Sequence, residues 1–177
     1  MEETFDRDHL IRIARHATTD VFNTMLGLPI EPLEAYVETE PPVAATGILS
    51  LIGFAGTWVG NGSFFCSAAM ACSIADALLM AEHATVDEEV LDAMAEMTNM
   101  ILGNVKTELE EALGPMLLSI PTVLHGRNFV KRSMGKRDWI VIPFNCKNER
   151  FEIQICMAPN PNPDGLRYAL RPYGVHA

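Results

Sequence analysis

The sequence predicts an α/β protein, and three observations carry that expectation. Residues Asp8 to Leu26 repeat apolar side chains at helical spacing. Val43 to Ser67 is rich in β-branched and aromatic residues punctuated by glycines. After a long helical pattern ending near Gly114, the chain returns to strand-like runs. At 177 residues one domain over 1–177 is expected, long enough for a substantial core.

In the first helix Leu10, Ala14, Ala17, Val21 and Met25 recur every three or four residues, and Gly27 followed by Pro29 stops it. Glu31–Pro42 is Pro- and Glu-rich and reads as an extended connection. Val43–Ser67 reads as a hairpin turning near Gly53–Gly56, with Asn61-Gly62 as a rival turn or a bulge. Ala68–Ala81, rich in Ala and Met, favours helix. Thr85-Val-Asp-Glu88 fits a capping box with an acidic first turn, opening a helix to about Leu113. Strands are expected at Met116–Leu124, Trp139–Phe144 and Phe151–Met157, the last two as a hairpin. The tail over 158–177 is loop chemistry around Pro159-Asn-Pro-Asn-Pro-Asp-Gly165, with a short strand or coil after it.

Composition excludes several classes. There are 23 acidic and 13 basic residues, a net charge of −10 that argues against a protein gripping nucleic-acid phosphates over a broad face. Apolar residues make up 49% and charged residues 20%, which excludes a disordered chain. From Pro41 to Ala75 no Asp, Glu, Lys or Arg occurs. Glycines and polar residues interrupt this run, so it never supplies the ~20 consecutive apolar residues of a membrane-spanning helix. The acidic start, Met-Glu-Glu-Thr-Phe-Asp, is unlike a signal peptide, so a cytoplasmic location is expected. Cys66, Cys72, Cys146 and Cys156 lack metal or disulfide spacing and read as buried free thiols. The histidines are scattered, and no metal site is expected.

The long helix after Thr85 has two faces. Val90, Met94, Met97, Ile101 and Val105 form a core stripe. At about 100° per residue, Asp92, Glu96, Asn99 and Gly103 fall on the opposite line. Carboxylates on a polar helix face are ordinary solvation. Gly103 in mid-helix is less ordinary, because it costs about 1 kcal/mol relative to Ala, which hints at close packing or a close approach from outside.

The run Asp92-Ala-Met-Ala-Glu96-Met-Thr-Asn99-Met-Ile-Leu-Gly103-Asn104 resembles the signature helix of the CheX/CheC phosphatases of bacterial chemotaxis, in the CheC/CheX/FliY superfamily. That pattern has Asp or Ser, three residues, Glu, two residues, Asn, and a Pro a little over twenty residues on. Pro121 is the matching proline, with 21 residues between it and Asn99. Ala17–Gly27, the Gly53/Gly56 hairpin and His125-Gly126 are similar to further parts of such domains, so the resemblance spans about 8–157.

The resemblance implies a two-layer α+β sandwich, an antiparallel-dominated sheet packed against two longer helices. It also implies a phosphatase acting on the phosphoaspartate of a CheY-like receiver domain. An acyl phosphate is already activated, so hydrolysis needs a water held in line and stabilisation of the spreading charge. Asn99 is then expected to position that water, and Glu96 to pair with the receiver's lysine. Asp92, Gly103 and Asn104 are expected receiver contacts, with Asp92 at the rim. No cofactor is expected in this chain; Mg2+ belongs to the receiver.

Beyond the family's pattern, Arg127, Lys131, Arg132, Lys136 and Arg137 place five of the 13 basic residues within eleven positions. This is either a solvated loop or an electrostatic guide for an acidic receiver pocket, with Lys131 and Arg132 as contacts. The uncharged run suggests an unprotected edge strand and an apolar helix, consistent with the homodimer that the resemblance implies. Two alternatives stay open: a catalytically weak binding or dimerisation module on the same fold, and an unrelated ligand-binding domain with a deep apolar pocket.

Overall fold

Asp6 opens the first helix by accepting hydrogen bonds from the amides of Asp8 and His9, at 3.0 and 3.1 Å. The computed structural model describes residues 6–38, 44–130 and 138–162. Helix α1 (Arg7–Val21) runs into a π-helical turn, Phe22–Leu26, that ends at Gly27 with φ of 62°. Leu10, Ala14, Ala17 and Val21 are buried as their spacing predicts, but Met25 is 49% exposed. The wider π turn carries an extra residue, so Phe22 and Leu26 face inward in its place.

Two short strands, β1 (Glu31–Pro32) and β2 (Tyr36–Glu38), lie within the stretch read as an extended connection. Both pair antiparallel with the same later strand. The hairpin of β3 (Ala45–Gly56) and β4 (Trp58–Cys66) turns at Thr57, one residue past the expected Gly53–Gly56. Asn61-Gly62 is neither turn nor bulge, since Ile52 faces Gly62 and Gly53 faces Asn61 in unbroken register. Gly62 answers a packing demand: a Cβ there would stand 2.6 Å from Leu102 Cδ1.

Helix α2 (Ala68–Leu79) is capped by the Ser67 hydroxyl, which accepts from the Met70 amide at 3.0 Å. Helix α3 (Glu88–Leu113) begins later than the capping box suggests. Its N-cap is Asp87, whose carboxylate accepts from Val90 N at 3.0 Å. Asp outranks Thr as a cap and its charge suits the helix N-terminus.

The expected strand Met116–Leu124 is two strands, β5 (Met116–Leu118) and β6 (Thr122–Phe129), both paired with β3. Phe54 faces Leu118 and Leu51 faces Thr122, so Ser119, Ile120 and Pro121 oppose only Ile52 and Gly53. This is a β-bulge. Strands β7 (Trp139–Cys146) and β8 (Glu149–Pro159) pair through to Cys146 and Glu149, around Lys147 with φ of 55°. The expected short strand in the tail lies outside the described residues.

The sheet runs β1-β7-β8-β4-β3-β5, with β2 also on β7 and β6 also on β3, and every pairing is antiparallel. One face carries Ile48, Ile52, Phe64, Ile142, Phe144, Phe151, Ile153 and Ile155 into the core beneath the helices. Phe22 stacks on Phe151 at 4.7 Å between ring centroids, and Phe64 and Phe144 stack on the same ring at 5.1 Å. Helix α3 packs against both α1 and α2, and its whole predicted stripe from Val90 to Val105 is fully buried.

The uncharged run has a simpler cause than an unprotected edge. β3 and β4 are interior strands with neighbours on both sides, and Leu49 and Ser63 are buried on the face turned away from the helices. A charge there would be desolvated without a partner. The edges are formed by β1 and β2 on one side and β5 and β6 on the other. The four cysteines are free, with Cys66, Cys146 and Cys156 buried and Cys72 half-buried. Among the described residues, no helix is long and apolar enough to cross a membrane.

Candidate functional site

Helix α3 presents its polar line to the β3 edge where β5 gives way to β6. Asp92, Glu96 and Asn99 line one side of an open groove of about 490 Å3, and Leu118, Ser119, Ile120 and Pro121 line the other. The helical period puts Glu96 and Asn99 about one turn apart, and burial of Met94, Met97 and Ile101 fixes that face outward. Among the described residues, none hydrogen-bonds or ion-pairs with the Glu96 carboxylate or the Asn99 amide.

The opposite wall is built by the bulge. Ser119 donates its amide to the Gly53 carbonyl at 2.9 Å, and its hydroxyl accepts from the Gly53 amide at 2.9 Å. The same hydroxyl donates to the Ile120 carbonyl at 2.9 Å. A side chain thus completes the ladder where the backbone has one residue too many. Ile120 is left 86% exposed beside the groove, and Pro121, which has no N–H to offer a ladder, ends the irregular segment.

The far end of α3 is tied to β5. Glu110 Oε1 accepts from the Met116 amide and from Lys106 Nζ, both at 2.8 Å, and the Thr57 hydroxyl donates to the Leu113 carbonyl. The Lys106 hydrogen bond, then the Met116 amide, hold the Glu110 carboxyl below its ordinary value. Helix and strand are thereby held at a set separation. Between them lies a second open groove of about 340 Å3, lined by Gly103, Asn104, Thr107, Leu117 and Leu118.

Of the residues singled out from sequence, Asp92, Glu96 and Asn99 meet at one groove with Pro121 opposite, while Gly103 and Asn104 lie in the adjoining one. Among the described residues, packing does not require Gly103, because a Cβ there would meet nothing within 4 Å. Arg127 lies in β6, whereas Lys131, Arg132, Lys136 and Arg137 lie outside the described residues. Ser119 and Ile120 escaped the sequence reading. Pro121 inside a supposed continuous strand was the signal that could have located the break. The groove holds two carboxylates, Asp92 and Glu96, and among the described residues no three His, Cys, Asp or Glu side chains are grouped to hold a metal ion.

The family model for chemotaxis phosphatase CheX matches residues 48–145, more than half of the chain and the whole of the groove. Comparison with curated proteins gives no match. Among solved structures, a CheX from Desulfovibrio desulfuricans is similar at 26% identity and a TM-score of 0.77, covering 85% of this chain and 99% of that one. A CheX from Vibrio vulnificus is similar at 24% identity and a TM-score of 0.77, with coverage of 85% and 99%. A chain of a CheX–CheY–BeF3–Mg2+ complex from Borrelia burgdorferi is similar at 22% identity and a TM-score of 0.69, covering 87% and 99%. These structures share the α/β architecture described above, in which an antiparallel sheet backs a helical layer. With the family model spanning β3 through the groove and into β7, the chain belongs to the chemotaxis phosphatase CheX family.

Proposed function

We propose that this chain hydrolyses the phosphoaspartate of a CheY-like response-regulator receiver domain at the Glu96–Asn99 groove. The observation that carries the reading is the pair itself: a carboxylate and an amide one turn apart on a rigid helix, without partners among the described residues, in an open groove. The groove is too open to enclose a small substrate, and suits a reacting group presented on the surface of another protein.

In this reading the Asn99 carbonyl oxygen accepts a hydrogen bond from water, while its NH2 donates to the phosphoryl group or to the receiver's main chain. The water oxygen forms the new bond to phosphorus as the bond to the aspartyl oxygen breaks, giving free aspartate and inorganic phosphate. Glu96 pairs with a lysine of the receiver and sets the register of docking. Asp92 stands at the rim. Mg2+ is assigned to the receiver, and this chain supplies no step through it. The Borrelia burgdorferi relative, in complex with CheY, BeF3 and Mg2+, supports a receiver as partner.

Phosphate release from receivers charged with acetyl phosphate tests the reading. The wild-type chain is expected to accelerate release, and Asn99→Ala to abolish most of the gain. No acceleration with any receiver of the host overturns it. A homodimer belongs to the same proposal, and a monomer at micromolar concentration by sedimentation counts against that part.

A further inference from the structure

Glycine in the middle of a helix loosens the backbone and is less favourable than alanine. Several interior glycines of this chain answer a close approach. A Cβ at Gly60 would stand 2.0 Å from the Cys156 carbonyl oxygen, and one at Gly47 would stand 2.2 Å from that of Cys66. Gly103 is different. A Cβ there would meet nothing within 4 Å, its φ is not positive, and α3 runs unbroken from Glu88 to Leu113. Among the described residues, neither packing, nor a left-handed turn, nor a cap calls for glycine at that position.

The surroundings suggest what does. Gly103 lies one turn beyond Asn99, about 6 Å along the helix axis. It lines the second groove, whose strand side carries Leu117, 48% exposed, and whose helix side carries the exposed Asn104 and Thr107. Leu118 lines both grooves, so they are two lengths of one crease between α3 and β5. A protein docked at Asn99 needs about 800 Å2 of contact on each partner, far more than one helical turn offers. The crease is the direction in which the helix surface is low.

Resting on the receiver-phosphatase reading, we infer that Gly103 is a clearance position of the same docking surface. The receiver that presents its phosphoaspartate to Asn99 lays main chain over Gly103, flanked by Leu117 and Asn104. A side chain at 103 holds the partner off the helix by about one bond length. It thereby lifts the phosphoryl group away from the Asn99 water, where a misplacement of ~1 Å can cost about 10²-fold in rate. The glycine thus weakens the free protein and serves the complex, so stability and activity respond in opposite directions.

The test uses the full chain with Gly103→Ala, Gly103→Leu and, as a control, Glu111→Leu, which is exposed on α3 outside both grooves. Melting temperature is measured alongside kcat and KM for dephosphorylation of an acetyl-phosphate-charged receiver. Gly103→Ala is expected to raise Tm by about 2–4 °C. The same change lowers kcat/KM about tenfold, and Gly103→Leu lowers it about 10²-fold or more, with the loss carried largely by kcat. Glu111→Leu is expected to keep wild-type kinetics. A Gly103→Leu protein with wild-type kcat/KM overturns the inference and leaves the phosphatase reading standing. So does an equal loss in Glu111→Leu, because bulk anywhere on the helix then suffices. A wild-type chain that fails to accelerate dephosphorylation overturns the phosphatase reading and this inference with it.

Discussion

Ser119 and Gly53 hold each other by two hydrogen bonds of 2.9 Å, one from the Ser119 amide to the Gly53 carbonyl and one from the Gly53 amide to the Ser119 hydroxyl. The second closes a ladder position that the bulge would otherwise leave open. It also fixes where Ile120 and Pro121 stand relative to Asn99 across the groove.

Ser119→Ala removes the acceptor for the Gly53 amide. The expected loss of unfolding free energy is about 0.5 kcal/mol, the low end for a hydrogen bond, because water reaches this exposed loop. Urea denaturation reads the loss. Ser119→Thr keeps the hydroxyl and is expected to recover most of it, and the two variants should rank the same way in receiver dephosphorylation.

Asn99→Ala and Glu96→Ala are expected to separate chemistry from docking. Neither side chain has a partner among the described residues, so stability should stay within about 0.5 kcal/mol of wild type. In steady-state assays Asn99→Ala lowers kcat by about 10²-fold, as loss of a positioned water predicts. Glu96→Ala acts mainly on KM and flattens its dependence on salt, since an exposed ion pair is screened.

His83 joins the end of α2 to the start of α3. Its Nδ1 is 2.8 Å from Asp76 and its Nε2 is 3.1 Å from Glu89, with the side chain 4% exposed. These hydrogen bonds, Asp76 first and Glu89 second, raise its pKa above the ordinary 6.5, helped by the nearby charge of Asp87. A raised folded value means the contribution is complete below 6.5 and is lost as pH climbs through the folded value. Thermal melts of wild type should therefore fall across that window. His83→Gln is expected to show a flatter pH profile, the difference from wild type being largest on the acidic side.

Gly60→Ala and Gly62→Ala are expected to differ in severity. A Cβ at 60 meets backbone, 2.0 Å from the Cys156 carbonyl oxygen, so the β4–β8 ladder itself must shift. A Cβ at 62 meets the tip of Leu102 at 2.6 Å, a side chain that can give way at some packing cost. Gly62→Ala should cost about 1–3 kcal/mol by chemical denaturation, and Gly60→Ala more.

The helices were legible because their information is local. Leu10, Ala14, Ala17 and Val21, and then Val90, Met94, Met97, Ile101 and Val105, mark buried faces at a period that a helix imposes wherever it lies. Errors fell where a rival local signal won or where pairing partners were distant. Asp87 displaced Thr85 as the cap, the π turn exchanged Met25 for Phe22 and Leu26, and Asn61-Gly62 stayed inside β4 because Leu102 needed the space.

By itself the sequence determined that Asp92, Glu96, Asn99 and Gly103 share one exposed line of a single helix, since about 3.6 residues per turn leaves no choice once the core stripe is set. It also carried a resemblance to the CheX family, through that line, Pro121 and further segments, and the family model over residues 48–145 bears the resemblance out. Only the tertiary structure decided that the line faces the Ser119–Pro121 bulge, and that the space beside Gly103 is open. Both depend on the pairing of β5 and β6 with β3, contacts between residues sixty or more positions apart whose register no local period encodes.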